Sequence, residues 1–256
     1  MAAEAISDLA LEAWRLQREA QAAEPPVRVT PNSAPILYFG DLDAYRASKL
    51  RVITVGVNPS GEEFPAHAPW SRFPVAEIAA AEDVGPLLPD YLHALNNYFR
   101  LDPYGLWFSS YEPALNGMEA SYYDGAATAT AIHTDVCTPV PTSPTWRRLN
   151  RDEWRFLAPG GVELWHRLVE ELEPHVILAS VGARNFARIA LAPTADPEVI
   201  YRVEQVRPLR IRATRVRVGS VEALLVTGGA ATTPFQMIKA AQRHEVGAIV
   251  RTLIGV

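Results

Sequence analysis

The loop at residues 56–61 has the sequence Gly-Val-Asn-Pro-Ser-Gly and is the segment of this 256-residue chain best suited to chemistry. It ends a β-branched run, residues 51–57, that is typical of a buried strand. Glycine permits close backbone approach and proline stiffens the turn, so the loop would hold the amide of Asn58 at the edge of a sheet. An amide is a poor base, but it can position and orient water. The spacing alone also fits an Asx turn, in which Asn58 caps its own loop.

Other catalytic motifs are missing from the sequence. No glycine-rich loop ends in Gly-Lys-Ser/Thr, no Gly-x-Ser-x-Gly elbow occurs, and Gly182-Ala183-Arg184 lacks the dinucleotide-binding spacing. Cys137 is the single cysteine, and His133 four residues earlier gives only two ligands, too few for a zinc site. The sequence therefore predicts a protein without a metal or another cofactor.

Segments with strand-like and helix-like patterns alternate along the chain. Strands are predicted at residues 35–39, 51–57, 128–136, 175–181 and 222–226, with a half-exposed pair of strands within 202–218. Helices are predicted at residues 1–23, 91–100, 162–172, 184–191 and 235–253. This alternation favours an α/β fold in which helices cover both faces of a parallel sheet.

Three loops with unusual composition follow predicted strands, at residues 58–73, 135–146 and 228–235. In open α/β sheets, ligands bind beyond the carboxyl ends of the strands. We therefore expect the three loops to converge on one crevice.

The segment Val55-Gly56-Val57-Asn58-Pro59-Ser60 resembles the first motif of the uracil-DNA glycosylase superfamily, in its mismatch-specific and single-strand-selective branches. Residues 132–139 (IHTDVCTP) resemble the end of the strand that recognises the base in that family. Residues 172–179 (LEPHVILA) resemble the segment in which a helix of that family leads into a strand. The loop at residues 228–234 takes the place of the second motif. The similarity extends from Arg51 to the C-terminus.

This resemblance implies a three-layer α/β/α fold with a four-stranded parallel sheet. It also implies hydrolysis of the N-glycosidic bond of a nucleotide flipped out of DNA, without a cofactor. The base departs as an anion while the sugar becomes cationic, so the enzyme must hold water and stabilise negative charge. By similarity, Asn58 positions the water, and backbone amides near Val57 and Ser60 face the base. Phe64 or Phe73 would provide a stacking plane, although either ring can simply be a packing residue.

The second motif departs from the family pattern, which has His-Pro-Ser or Asn-Pro-Ser. Here the sequence reads Gly228-Gly229-Ala230-Ala231-Thr232-Thr233-Pro234-Phe235 and lacks the histidine that would stabilise the leaving base. We expect Thr232 and Thr233 to bind a DNA phosphate. We expect the ring of Phe235 to insert into the gap that the flipped-out base leaves in the base stack. Alternatively, Thr233 before Pro234 is the N-cap of the closing helix.

Asp135 stands where uracil-specific relatives often place an asparagine. An ionised carboxylate only accepts hydrogen bonds, so it would repel O4 of uracil and accept from the exocyclic amine of cytosine. The small residues at 228–231 would leave room for a 5-substituent. We therefore expect the substrate to be a modified cytosine, which the enzyme would excise from phage DNA as a defence. Alternatively, Asp135 pairs with His133 or with an arginine.

The net charge of −5 does not point to nucleic acid, but phosphate contacts are local. Arginines cluster at residues 202–217 and again at Arg147, Arg148 and Arg151. We expect Arg147 and Arg148 to contact DNA. Because arginine greatly outnumbers lysine in this chain, the clusters can also reflect composition alone.

The leading hypothesis is a monofunctional DNA glycosylase, since neither lysine, Lys49 or Lys239, falls in the three loops to form a Schiff base. The alternatives are a uracil or thymine mismatch repair glycosylase, an inactive DNA-binding member of the same fold, and an unrelated α/β enzyme acting on nucleotides or sugar phosphates.

The N-terminal segment, residues 1–24, predicts an amphipathic helix packed on a single domain of residues 1–256. Its acidic residues are unlike a signal peptide, and no apolar run reaches the roughly 18 residues that span a membrane. We therefore expect a cytoplasmic protein without an obligatory protein partner.

Overall fold

A computed structural model describes residues 2–204, 209–228, 235 and 237–255 of the chain. The helices are α1 (Ala2–Gln21), α2 (Leu42–Ala47), α3 (Ala76–Ala80), α4 (Leu88–Asn96), α5 (Gly105–Phe108), α6 (Glu112–Gly117), α7 (Arg151–Leu172), α8 (Ala183–Phe186) and α9 (Ala240–Ile254). The strands are β1 (Val52–Gly56), β2 (Ala120–Ser121), β3 (Ala129–Asp135), β4 (Val176–Ala179), β5 (Ala192–Pro193), β6 (Glu198–Val203), β7 (Leu209–Val218) and β8 (Val221–Thr227).

The strands form one sheet in the order β2-β3-β1-β4-β8-β7-β5, with β6 paired to β7. β1, β4 and β8 run parallel, and Val55, Ala179 and Thr227 lie in one row across them. β7 runs antiparallel to both β8 and β6. The predicted three-layer α/β/α fold with a mostly parallel sheet is therefore confirmed, as is the antiparallel pair near residues 200–218.

The buried strands β1 and β4 have the sequences VITVG and VILA, and every residue in them is buried. Continuous aliphatic runs of this kind fit strands covered on both faces, where no polar face is needed. β7 behaves differently, because Ile211 and Ala213 are buried on one face and Val216 and Val218 on the other. The buried face of β7 thus changes side near Thr214.

Several predicted boundaries differ from the structure. Residues 35–39 are buried but form no strand, since their backbone is satisfied by single contacts such as Ile36 N donating to Pro139 O at 2.9 Å. α7 begins eleven residues before the predicted start, because Oδ1 of Asn150 caps it by accepting from the backbone N–H groups of Asp152 and Glu153. α8 is shorter than predicted.

The closing helix α9 begins at Ala240 rather than near residue 235. Lys239 is its N-cap, and the backbone N–H of Lys239 donates to Oε1 of Gln242 at 2.9 Å. The alternative interpretation of Thr233 as the N-cap is therefore wrong about where the helix starts. Thr233 itself lies outside the described residues.

The chain divides into two compact units. The first unit comprises Met1–Gly40, Val57–Pro103 and Thr134–Glu171, and the second comprises Asp41–Gly56, Tyr104–His133 and Leu172–Val256. In the first unit, α1 packs on α4, with the rings of Trp14 and Tyr91 5.5 Å apart. None of the helices in the described ranges is long and apolar enough to cross a membrane.

Candidate functional site

The loop that follows β1 and the segment that follows β3 lie against each other in the first unit. The backbone N–H of Cys137 donates to the carbonyl of Val57 at 2.9 Å, and Ser60 forms a parallel bridge with Thr142. Two of the three loops that were expected to converge are therefore adjacent. The third includes residues 229–234, with Thr232 and Thr233, which lie outside the described residues.

The side chain of Asn58 is half-buried and held through its nitrogen. Nδ2 donates to the carbonyl of Pro59 at 2.8 Å, to Oγ1 of Thr142 at 3.0 Å and, at 3.5 Å, to the carbonyl of Val140. Its Oδ1 accepts no hydrogen bond from the described residues. An Asx turn would use that oxygen to accept from the loop's own backbone. In this arrangement the nitrogen fixes the side chain and the oxygen is left as an acceptor.

Ser60 begins the short turn of residues 61–63. Its Oγ accepts a hydrogen bond from the backbone N–H of Glu62 at 3.1 Å. A side chain could not be added freely at Gly61, because its Cβ would lie 3.3 Å from Oγ1 of Thr30. Glycine here lets the loop approach the segment that precedes α2.

A cavity of about 590 Å³ opens beside this turn. It is lined by Thr30, Pro31, Asn32, Ser60, Gly61, Glu62, Phe64, Ala66, Pro69, Thr142, Ser143, Pro144, Thr145 and Arg148. Three predicted site residues, Ser60, Phe64 and Arg148, thus share its wall, whereas Asn58 and Asp135 do not line it. Thr30 is only 4% exposed, and its Oγ1 has no hydrogen-bond partner among the described residues. The half-buried Ser60 and the exposed Ser143 and Thr145 therefore bring hydroxyl groups to the cavity wall, whereas the hydroxyl of Thr30 is buried.

The two phenylalanines proposed for stacking lie in different surroundings. Phe73 is 2% exposed and stacks on Phe64, with ring centroids 5.7 Å apart, and on Tyr98, with centroids 4.9 Å apart. Phe64 also meets Trp70 edge-on at 5.8 Å. Phe73 is therefore a packing residue of an aromatic cluster, while Phe64 extends that cluster to the cavity wall.

Glu63 is a buried carboxylic acid that the sequence analysis did not identify. It is 4% exposed, and the hydroxyl of Tyr98 donates to its Oε2 at 2.6 Å. Burial raises the pKa of Glu63 to about 7, and the negative charges of Asp135 and Glu62 act in the same direction, whereas the Tyr98 hydrogen bond and Arg72 lower it. Glu63 can therefore hold a proton near neutral pH.

Asp135 is the last residue of β3 and is 8% exposed. The structure places its charge close enough to Glu63 to raise the pKa of that residue. The next residue back, Thr134, accepts through Oγ1 from Nε1 of Trp165 at 3.0 Å. His133, one alternative partner for Asp135, bonds through Nδ1 to Oγ1 of Thr54 at 2.7 Å.

The segment after β3 is fixed by direct contact with the backbone of α7. A Cβ added at Gly161 would lie 2.1 Å from the carbonyl oxygen of Cys137 and 2.5 Å from Cα of Thr138. No side chain fits between these backbones. The neighbouring Gly160 faces only the end of the Leu16 side chain, at 2.8 Å.

Arg147 and Arg148 are exposed on the turn Trp146–Arg148. The carbonyl of Arg148 accepts from Nη2 of Arg28 at 3.1 Å. Arg28 also binds both carboxylate oxygens of Glu153, at 2.7 and 2.6 Å, and this hydrogen bonding lowers the pKa of Glu153 to about 2. The ion pair fixes the backbone on which the two arginines stand.

Phe235 does not lie where the sequence analysis placed it. Its ring is 1% exposed and packs edge-on against Tyr111 in the second unit, with centroids 5.8 Å apart, and its backbone N–H donates to Oγ of Ser180 at 3.1 Å. A Cβ at Gly228 would lie 2.4 Å from this ring. The ring is therefore a packing residue of the second unit and is not presented as a wedge.

Among the described residues, no three histidine, cysteine, aspartate or glutamate side chains are grouped closely enough to hold a metal ion. In comparisons with known proteins, no family model matches the chain, and no curated protein matches it.

Proposed function

We propose that this chain is a monofunctional DNA glycosylase that hydrolyses the N-glycosidic bond of a flipped-out base. The observation that carries the proposal is the way in which the Asn58 amide is hydrogen-bonded. Its nitrogen is bound across the loop to Thr142, and its oxygen is left as a hydrogen-bond acceptor. An acceptor held in this way can orient a water molecule without moving during the reaction.

The reaction needs no strong base. The bond between C1′ of the sugar and the base nitrogen breaks first, and the electron pair leaves with the base. Water, which donates a hydrogen bond to Oδ1 of Asn58, then forms the new C1′–O bond and loses a proton, which neutralises the base through solvent. The backbone amides of Val57 and Ser60 would stabilise the anionic base, as the resemblance implies.

For the substrate we propose a cytosine-type base carrying a substituent. The carboxylate of Asp135 would accept a hydrogen bond from the exocyclic amine of cytosine, and a uracil O4 would be repelled. The cavity beside Ser60 and Phe64 offers space for the substituent. Excision of such a base would serve in defence against phage DNA and would take place in the cytoplasm.

The test is a base-release assay on single-stranded and duplex oligonucleotides that contain uracil, 5-hydroxymethylcytosine or glucosylated cytosine. Asn58→Ala should lower single-turnover base release by roughly 100-fold, the scale of removing one preorganised polar group from a reaction centre. DNA affinity should stay within about twofold, since the amide is not a phosphate contact. Asn116→Ala, which changes an exposed asparagine of α6, is the matched control and should behave as wild type.

The outcomes separate the alternatives. Release of uracil without release of either cytosine would reject the cytosine assignment and support the repair glycosylase. DNA binding without release of any base would support an inactive binding member of this fold. Undiminished release by Asn58→Ala would overturn the role assigned to that residue.

A further inference from the structure

Three arginines share one exposed face of the antiparallel strands β6 and β7. Arg202 and Arg210 are direct cross-strand partners, and Arg212, two residues further along β7, lies on the same face. All three are exposed. Their side chains have no ion-pair or hydrogen-bond partner within the part of the chain that the structure describes. We call Arg202, Arg210 and Arg212 the arginine face.

This arrangement is unfavourable for the strand pair by itself. Like charges directly opposite each other on neighbouring strands are destabilising. The other end of β7 shows the ordinary solution, because Nη1 of Arg215 lies 3.0 Å from a carboxylate oxygen of Glu222, and Arg217 is the cross-strand partner of the same glutamate. Acidic partners thus accompany the arginines at one end of the strand but not those of the arginine face.

The arginine face lies at the edge of the sheet where the parallel strands end. Arg212 pairs with Thr227, the last residue of β8, and Thr227 is in register with Ala179 and through it with Val55. Three strand spacings of about 4.8 Å place Arg212 roughly 14 Å from Val55 across the sheet.

We infer that the arginine face binds the phosphate backbone of DNA. This inference rests on the proposed function for its choice of DNA as the partner. Guanidinium groups bind phosphate oxygens through paired hydrogen bonds and remain charged at all relevant pH values.

The charge of the whole chain makes a local attraction of this kind necessary. The net charge is −5, so the average field of the protein repels DNA. Three exposed arginines without an ion-pair partner among the described residues supply such an attraction at one place on the surface.

The test measures DNA affinity by fluorescence anisotropy on a 20-base-pair duplex in salt from 50 to 300 mM. The variant Arg202→Gln/Arg210→Gln/Arg212→Gln should bind at least roughly 100-fold more weakly near 0.1 M salt. The slope of log affinity against log salt should fall by about 3, close to 0.9 for each phosphate that the protein no longer neutralises. Arg217→Gln is the matched control, because it removes an exposed arginine from the other end of β7, and it should leave the slope unchanged.

An unchanged slope in the triple variant would overturn the inference. The melting temperature of the triple variant should equal or exceed that of the wild type, since the opposition of Arg202 and Arg210 is removed. If it is lower, Arg210→Gln and Arg212→Gln are measured singly and should each lower the slope by about 1.

Base release distinguishes this inference from the proposed function. The triple variant should raise the DNA concentration that gives half-maximal base release by roughly 100-fold, whereas Asn58→Ala should lower the maximal rate and leave that concentration within about twofold. If the wild type binds DNA through the arginine face but releases no base, the proposed function fails and the inference stands. If Asn58→Ala abolishes release while the triple variant keeps the full salt slope, only the inference fails.

Discussion

Nδ2 of Asn58 lies 3.0 Å from Oγ1 of Thr142, a residue 84 positions later in the chain. Thr142 is fully buried, and its backbone N–H also approaches the carbonyl of Pro59 at 3.4 Å. The orientation of the proposed reactive side chain is therefore set by a second segment and not by its own loop alone.

Replacing Thr142 tests this dependence. Thr142→Val keeps the shape of the side chain but removes the oxygen that accepts from Asn58, and the loss of one hydrogen bond should lower the rate of base release roughly tenfold. Thr142→Ser retains the oxygen and should stay close to wild type. DNA affinity, measured alongside, should not change in either variant. Equal rates for valine and wild type would show that Asn58 is held by other interactions.

Glu63 should make stability depend on pH in a window that few carboxyl groups affect. Its pKa is about 7 in the folded chain against an ordinary value of 4.5, so the folded state binds more protons between these values. The free energy of unfolding should therefore fall, by about 3 kcal/mol in all, as the pH rises from about 4.5 to about 7.

Glu63→Gln removes the proton-binding group, and its stability should lack this fall across the window in urea titrations at successive pH values. Tyr98→Phe is the complementary variant. The Tyr98 hydroxyl lowers the pKa of Glu63, so its removal should move the upper end of the window to higher pH. A glutamine variant that keeps the full wild-type slope would assign the pH dependence to another group.

Glu153 should make the free energy of unfolding fall as the pH decreases, which is the opposite of the effect of Glu63. Its pKa is about 2 in the folded chain, below the ordinary 4.5, because Arg28 donates hydrogen bonds to it. The stability that this ion pair contributes is complete above about pH 4.5 and is lost as the pH falls towards 2. The loss should be about 1 to 2 kcal/mol, since solvent around the half-exposed Arg28 screens the pair. Glu153→Gln should abolish this component of acid unfolding, and an unaltered acid transition would contradict it.

The two adjacent glycines of α7 should respond differently to alanine. Gly161→Ala forces a methyl group against the Cys137 carbonyl, where backbone must move, and should cost about 3 kcal/mol in the free energy of unfolding. Gly160→Ala meets only the flexible end of Leu16, and the gain in helix propensity offsets the adjustment, so its effect should stay within about 1 kcal/mol. Equal melting temperatures for the two variants would contradict the close backbone approach.

The strands of the sheet could be predicted because a strand that is buried on both faces has an almost entirely apolar sequence, as in VITVG and VILA of β1 and β4. Residues 35–39 are also buried and apolar, but they do not form a strand. A buried aliphatic run reports burial, and whether its backbone pairs in a ladder depends on neighbours that are distant in sequence.

In the candidate site too, some features follow from the local sequence and others depend on residues that are distant in sequence. The adjacency of the loops at Asn58 and Thr142 followed from the rule that parallel strands end at one edge. Glu62 and Glu63 are chemically alike, and only the turn of residues 61–63 decides that the second of them points inward. Phe235 was misplaced because its burial depends on Tyr111 and Ser180, which are far from it in sequence.

The close approach of Gly161 to Cys137 joins backbone to backbone, so this contact does not depend on which side chains the segment after β3 carries. Ser143 and Thr145 are exposed on the cavity wall and take no part in that backbone contact. We expect both positions to tolerate substitution while α7 keeps the segment in place. Under the proposed function, substrate preference could then be changed at these two positions without altering the helix.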